Sequence, residues 1–418
     1  MAEQTNLLVA KEAIRKKLRG RHLTYKEIYA LMDEISSDRL GDVLTTYFAA
    51  AGFKEGFTEE ELYFMTKAMV ETGVQLHFNG IVADKHSIGG IAGARTTMIV
   101  VPIVVAAGFI MPKTSSRAIT SPAGTADVME VLAKVNFTPE HVEKIVREVG
   151  GCIIWGGHLG IAPADDIIIK VEEPLSFESF DKIIVSIMAK KVAVSTNHLI
   201  IDIPIGHTMK IRYEKDAELV KKKFEGIAKR FGIKISVDVN STTEPEGHGI
   251  GPTLEAIDVL KVLEQDGSRP LPLENRAIRL AGKLLDLCYK SSGQRLKGEE
   301  VAKELLRNGK ALEVFRKILK AQYGDPDVTW KKLKTARFKK EITAEKSGTI
   351  SHINNFNLNA IAKILGAPSD KKAGIELHKR SKDEVKHKEV LLTLHSSQER
   401  DIREAIETLS SFPIYLID

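Results

Sequence analysis

Apolar residues recur at helical spacing through the first part of the chain. Leu40, Val43, Leu44 and Phe48 share one face of a 3.6-residue period. Two capping-box pairs, Thr24 with Glu27 and Thr58 with Glu61, mark helix starts on either side of them. No β-rich run interrupts residues 1–78, which read as a small all-helical unit. Beyond it the texture changes. Short β-rich runs at 109–111, 152–155, 199–203 and 233–239 alternate with helical patterns. One of these helices is opened by Thr138 with Pro139 at its first position, and another covers 176–191. Strand–helix alternation predicts an α/β lobe with a mostly parallel sheet. The tail, 336–418, has short strand candidates at 348–353 and 390–394 and a final helix from about Ser397, so it reads as a smaller α+β domain.

The longest apolar run, 98–112, is 15 residues and contains Pro102. A membrane-spanning helix needs about 20 apolar residues, so the run reads as a buried helix passing into a buried strand, and no membrane partner is expected. With 418 residues, 43% hydrophobic and 28% charged, the chain has the profile of a globular protein of two or three domains. The net charge of +5 is spread along the sequence, and runs such as Lys221-Lys222-Lys223 fall in helical patterns as solvated faces; no nucleic-acid partner is expected. Cys152 and Cys288 have no metal-ligand spacing and form no disulfide framework. The first residues are polar and lack a basic-then-apolar signal pattern, which points to the cytoplasm.

Chemistry concentrates in three places. The first is Asp84-Lys85-His86-Ser87-Ile88-Gly89-Gly90-Ile91-Ala92-Gly93-Ala94-Arg95-Thr96-Thr97, a glycine-rich turn entering an apolar helix. Glycines let backbone N–H groups approach an anion, and a helix N-terminus adds free N–H groups and a positive dipole end. Lys85, Ser87 and Thr97 add a charge and two hydroxyls, so the segment reads as a phosphate cradle; an ordinary strand-to-helix turn is the alternative. Its glycine spacing matches neither the dinucleotide fingerprint nor the P-loop. The second is the stretch from Lys113 to Thr125, where Ser115, Ser116, Thr120, Ser121 and Thr125 crowd around Lys113 and Arg117 just after a strand candidate. Ligands of open parallel sheets bind beyond the carboxyl ends of the strands, so two donor-rich turns there can converge. The third is Ser186-Ile187-Met188-Ala189-Lys190-Lys191, where helical spacing puts Ser186 and Lys190 on one face.

Together these segments resemble the thymidine/pyrimidine-nucleoside phosphorylase family. Lys-His-Ser-x-Gly-Gly, a serine-bearing turn ending in Gly-Thr, and Ser-Ile-x-x-Lys-Lys occur here in order at matching separations, and Gly247-His248-x-Gly-x-Gly-Pro-Thr-Leu-Glu255 also matches. Within the family the chain is most similar to the AMP phosphorylase branch, through the run Lys113 to Ser121, Trp155-Gly156-Gly157, Ala162-Pro163-Ala164-Asp165-Asp166 and Asp202-Ile203-Pro204-x-Gly206. Four features depart from that branch. The chain opens directly at the helical unit, without the branch's extra N-terminal domain, so no assembly beyond a dimer is expected. Lys85 matches the nucleoside branch. Val171 stands where pyrimidine enzymes carry a base-binding arginine, and Glu178 where aspartate is usual.

The resemblance implies that 165–193 returns to join the helical lobe of 1–78, that 79–164 and 194–335 form the α/β phosphate-binding lobe, and that 336–418 is the C-terminal domain. It implies phosphorolysis with inorganic phosphate as co-substrate and no other cofactor. Phosphate falls to Lys85, Ser87, Thr97, Ser115 and Thr125. The nucleotide or nucleoside falls to Gly90, Ser116, Arg117, Ala118, Ile119, Thr120, Ser121, Ser186, Lys190 and Lys210, with His86 and Glu178 in the catalytic roles. The preferred substrate is a nucleoside 5′-monophosphate, cleaved to free base and ribose 1,5-bisphosphate. A pyrimidine nucleoside giving a sugar 1-phosphate is the alternative, and a non-catalytic nucleotide-binding homologue a third. No essential metal is expected: Glu255 matches a cation-ligand position of some relatives, but Ala92 and Ala94 replace residues of that turn. Family members pair through the helical lobe, which implies a homodimer.

Overall fold

A computed structural model describes residues 2–118, 121–172 and 179–418. Four helices open the chain: α1 (Ala2–Leu18), α2 (Tyr25–Ser36), α3 (Gly41–Glu55) and α4 (Glu59–Glu71). The capping boxes of α2 and α4 form as the sequence predicts, with Thr24 and Thr58 accepting from the backbone N–H of Glu27 and Glu61. Glu61 does more than cap. Its buried carboxylate accepts from Lys17 Nζ at 2.9 Å and from the Leu23 backbone at 3.0 Å, so one acid ties three elements together.

The chain then enters a sheet through β1 (Ala83–Ser87), α5 (Thr97–Ala106), β2 (Met111–Ser115), α6 (Thr125–Met129), α7 (Pro139–Val149) and β3 (Gly151–Trp155). It returns to the helical lobe with α8 (Pro163–Glu172) and α9 (Phe180–Val192), which pack on α2, α3 and α4. It re-enters the sheet as β4 (His198–Ile205), followed by α10 (Glu214–Arg230) and β5 (Lys234–Ser241). β1, β4 and β5 pair in parallel, as do β2 and β3, and a parallel bridge between Val82 and Ile110 joins the two groups. The strand order is therefore β3-β2-β1-β4-β5. The order reverses between β1 and β4, the switch point where open α/β sheets bind ligands.

Alternation along β4 shows how the sheet divides the interior. Leu199, Ile201 and Ile203 point into the core that also holds Ile28, Met65, Met188 and Phe224. Ile200 points to the other face, with Ala83, Met111, Ile153 and the apolar stretch of α5. That second core is closed by α11 (Pro252–Leu263), α12 (Leu271–Ser292), α13 (Gly298–Arg307) and α14 (Lys310–Ala321). Between β5 and α11 lies a two-residue strand, β6 (Gly249–Ile250).

The C-terminal part comprises β7 (Phe338–Thr343), β8 (Gly348–Ile353), α15 (Asn355–Ile364), β9 (Gly374–Leu377), β10 (Glu384–Val385), β11 (Val390–Ser396), α16 (Glu399–Ser411) and β12 (Tyr415–Ile417). Its main sheet has the order β6-β9-β11-β7, so it takes one strand from the α/β lobe. Its core also takes two residues from that lobe, Ala92 and Ile250. The architecture is the expected one: a helical lobe, an α/β lobe with a parallel sheet and an α+β C-terminal part. Among the described residues, no helix is long and apolar enough to cross a membrane.

Candidate active site

β1 places four polar side chains in succession, Asp84, Lys85, His86 and Ser87, and the two-residue alternation of a strand sorts them. Asp84 faces the helical lobe. Its carboxylate accepts from Lys191 Nζ of α9 at 2.6 Å and lies 3.5 Å from Lys113 Nζ of β2. Lys85 faces the other side, 2% exposed, donating to Thr96 Oγ1 at 2.9 Å at the start of α5. Asp202 of β4 lies 4.0 Å from Lys85 Nζ and is also paired with Arg276 at 2.5 Å, which in turn holds Glu246 at 2.7 Å.

This packing moves the titration of the cluster. Burial lowers the Lys85 ammonium to about 8, against the opposing pull of Asp202. Lys113 is lowered by burial too, Asp84 opposing. His86, half-buried at the end of β1, is pushed well below its usual value by burial and by Lys191, Lys113, Lys190 and Lys85 around it. It is a neutral imidazole at pH 7, able to accept on one ring nitrogen and donate on the other.

The glycine turn follows directly. Gly89 and Gly90 have φ of +93° and +104°, a region that side chains avoid. A Cβ on Gly90 would meet the backbone N of Lys210 at 3.4 Å, so the glycine lets the turn lie against the segment after β4. Ser87 Oγ accepts from the Gly89 N–H at 3.3 Å. Thr97, 7% exposed, begins α5; the Thr96 side chain does not cap the helix, while the Met98 and Ile99 N–H groups are taken by the Arg95 and Thr96 carbonyls at 3.1 and 3.0 Å.

The second turn starts inside a strand. The sequence predicts a strand at 109–111, yet β2 runs over Met111–Ser115 and includes Lys113, Thr114 and Ser115. Buried polar residues hide such a strand from a hydrophobicity pattern, and Lys113 is tolerated there because Asp84 faces it. The Ser115 and Thr114 hydroxyls are both buried without a hydrogen-bond partner among the described residues. A buried hydroxyl is seldom left so, which makes Ser115 at the strand's carboxyl end a donor in wait. Thr125 Oγ1 accepts from Arg95 at 3.4 Å, and Arg95 is ion-paired to buried Glu255. Glu255 therefore serves a guanidinium, and its other oxygen accepts from the Gly251 N–H at 3.1 Å. Ser116 is exposed, Ala118 is half-buried with its N–H on Asp127 at 2.7 Å, and Ser121 Oγ donates to the Ala123 carbonyl at 2.9 Å. Arg117 does not stand open: it pairs with Asp127 at 3.0 Å and Glu130 at 2.6 Å, with Trp155 beneath it. Gly124 allows this fold-back, since a Cβ there would lie 2.4 Å from the Arg117 carbonyl carbon. Ile119, Thr120 and Glu178 lie outside the described residues.

From the helical side, α9 brings Ser186 and Lys190. Ser186 donates to Asp165 Oδ2 at 2.8 Å and Lys190 Nζ approaches the same atom to 2.6 Å. Burial alone would lower the Lys190 ammonium; Asp165 outweighs it and raises it. Lys210, half-buried, follows β4 beside the first turn, and Val171 is buried on α8.

The structure thus gathers Lys85, His86, Ser87, Gly90, Thr97 and Lys210 around the switch point, with Ser115, Thr125 and the second turn on the neighbouring strand. Sequence reasoning gave no role to the carboxylates that hold the cations: Asp84, Asp165 and Asp202, which stand in the quoted motifs, and Glu246, which does not. The signal was present for Asp202, a lone charge in the run Leu199-Ile200-Ile201-Asp202-Ile203. A charge in a buried strand needs a partner.

The "Glycosyl transferase family, helical bundle domain" matches residues 11–73, the "Glycosyl transferase family, a/b domain" matches 79–312, and the "Pyrimidine nucleoside phosphorylase C-terminal domain" matches 349–412. A putative thymidine phosphorylase of Legionella pneumophila (strain Corby) is 41% identical over 95% of this chain and 75% of its own length. An AMP phosphorylase of Thermofilum pendens is 41% identical over 97% of this chain and 78% of its own. Anthranilate phosphoribosyltransferase from Thermus thermophilus shares the fold at 17% identity, with a TM-score of 0.62 over 75% of this chain and 99% of that one. The chain belongs to the thymidine/pyrimidine-nucleoside phosphorylase family of glycosyl transferases.

Proposed function

We propose that this chain is a phosphorylase of nucleoside 5′-monophosphates, producing free base and ribose 1,5-bisphosphate. The observation that carries the reading is the pair of donor turns at the switch point, with Lys85 buried at the mouth of α5 and the buried Ser115 hydroxyl lacking a partner among the described residues. Inorganic phosphate binds among Lys85, Ser87, Thr97, Ser115, Thr125 and the N–H groups of the glycine turn. One of its oxygens forms a bond to C1′ as the C1′–N bond breaks, and the electron pair leaves with the base, which takes up a proton. The developing charge is met by preorganised donors rather than by water. Neutral His86, with Ser186 and Lys190 from the helical side, contacts base or ribose. Glu178 supplies the proton, a role that rests on its family position. Such a general acid is worth about 10²–10⁴ in rate.

The 5′-phosphate falls to Ser116, Thr120, Ser121 and Lys210. Arg117 acts in that loop by holding its shape through Asp127 and Glu130, and the Ala118 N–H does the same through Asp127. Support for the monophosphate comes from these hydroxyls, from Val171 in place of a base-binding arginine, and from relatives named AMP phosphorylase. The second reading, a pyrimidine nucleoside, is favoured by Lys85, by the C-terminal domain and by relatives named putative thymidine phosphorylase. A panel of nucleosides and their 5′-monophosphates, ranked by kcat/KM with phosphate present, separates the two. The expected order puts a monophosphate first by about 10² or more, because only a 5′-phosphate gains charge-assisted hydrogen bonds from Lys210 and those hydroxyls. Thymidine or uridine ahead of every monophosphate replaces the first reading with the second. Lys210→Ala should depress monophosphate use far more than nucleoside use.

No metal is assigned a step. A homodimer through the helical lobe completes the proposal. It is supported by apolar side chains standing in solvent on α1 and α3, namely Leu8, Val43, Tyr47 and Phe53, at 66%, 70%, 54% and 51% exposure. Sedimentation at micromolar concentration tests it, a monomer being the contrary result.

A further inference from the structure

The glycine turn does not hold its own shape. Gly89, Gly90 and Gly93 all have positive φ, so the segment is built from residues that resist conformational change least. Two of its peptide groups are fixed by one side chain from 263 residues further along the chain. Asn355 Oδ1 accepts from the Ala92 N–H at 2.9 Å, and Asn355 Nδ2 donates to the Gly90 carbonyl. Asn355 is 1% exposed and is the first residue of α15, whose Asn354 cap accepts from the N–H groups of Phe356 and Asn357 at 3.0 Å each. The amide is therefore carried on a rigid helix start. Ala92 sits beside it as part of the C-terminal core.

Peptide planarity gives this contact a consequence. In a trans peptide the C=O and the N–H of the next residue point in opposite directions. Asn355 holds the Gly90 carbonyl on the C-terminal side, so the Ile91 N–H of the same peptide points to the other side of the turn. An unheld glycine peptide can flip, and a flip would present a carbonyl oxygen where an anion needs a donor.

We propose that Asn355 is a positioning residue for the phosphate turn: the C-terminal domain sets the Gly90–Ile91 peptide so that it offers the Ile91 N–H to the attacking phosphate. The second turn is braced from the same domain, since Lys371 Nζ lies 3.2 Å from Asp127 and 2.9 Å from Glu130, the acids that hold Arg117. The C-terminal domain thus acts on catalysis without touching substrate. This inference rests on phosphate being the ligand of the turn.

The test is Asn355→Ala in the full chain, with phosphate and nucleotide KM measured separately. The expected result is a phosphate KM raised about tenfold or more as the Gly90–Ile91 peptide loses its orientation, with the nucleotide KM within about twofold and a melting temperature lowered by a few degrees through the two lost hydrogen bonds. A phosphate KM within about twofold of wild type, or equal rises in both constants, overturns the proposal. Should the alanine variant fold poorly, Asn355→Asp replaces it. Its carboxylate keeps an acceptor for Ala92 but faces the Gly90 carbonyl until protonated, so its phosphate KM, relative to wild type, should fall as pH is lowered; a ratio independent of pH counts against the proposal. Hydrogen exchange makes the outcome independent of turnover. Inorganic phosphate should slow exchange in peptides covering 88–95 of wild type and not of Asn355→Ala. A wild-type protein protected by phosphate but inactive would refute the reaction class while leaving this contact tested, and equal protection in both proteins would refute the contact.

Discussion

Replacing Lys85 by methionine separates its role in binding from any role in folding. Methionine keeps the length and volume of the lysine stem, so no large cavity opens. The side chain is 2% exposed, and its displacement from 10.5 to about 8 corresponds to a folded-state penalty of roughly 3 kcal/mol on the charged form. The sign follows from the unfolded chain holding this proton more tightly. The penalty is present in full below pH about 8 and is relieved as pH rises toward the unfolded value. Removing the ammonium does not orphan Asp202, which keeps Arg276 at 2.5 Å. Lys85→Met is therefore expected to melt at the same temperature as wild type or above it at pH 7. Phosphate meanwhile loses a charge-assisted hydrogen bond of about 1.5–3 kcal/mol, a ten- to hundredfold loss in kcat/KM for phosphate. Calorimetry and initial rates over a phosphate series measure the two quantities on one preparation. A stable protein with weakened phosphate use is the prediction. A melting temperature several degrees lower, or unchanged phosphate dependence, would refute the assignment of Lys85 to the anion.

The same geometry sets three more outcomes. The kcat/KM for phosphate should decline above pH about 8 as Lys85 loses its proton, and Lys85→Arg should retain its activity, whatever its level, to higher pH; parallel profiles would place the titrating group elsewhere. Lys191→Met breaks the buried pair with Asp84, which keeps Lys113 at 3.5 Å and the Lys85 N–H at 2.7 Å; a loss of about 3 kcal/mol is expected in denaturant melts, and a loss under about 1 kcal/mol would contradict the pair's place between the lobes. Gly124→Ala puts a carbon 2.4 Å from the Arg117 backbone, so the second turn must open; kcat/KM should fall at least about tenfold, and near-normal activity would remove that turn from the site.

How much of this was readable from sequence varies with the physics of each element. α2, α4 and α7 begin at the predicted residues because capping is a local interaction, written within three or four positions. β8 and the apolar strands β3, β4 and β5 are found within one or two residues. β1 escaped, since Asp84, Lys85, His86 and Ser87 make no apolar run; only distant partners such as Lys191, Arg276 and Thr96 make it a buried strand. β6 and β9 are short; they pair with each other across more than a hundred residues, and β9 pairs also with β11. The Asn355 contact with the glycine turn is likewise non-local, and nothing in the turn's own sequence announces it. Donor-rich turns could be recognised from residue type; the carboxylates that orient their cations could not be matched to them before the strand order was known.

The claim on which the rest depends is that phosphate attacks the glycosidic carbon. Release of free base from a nucleoside 5′-monophosphate, followed with and without inorganic phosphate and with the sugar product identified, tests it most directly. The account predicts base release only when phosphate is present, in equal amount with a sugar phosphorylated at C1. Base released at the same rate without phosphate, with an unphosphorylated C1, would contradict it.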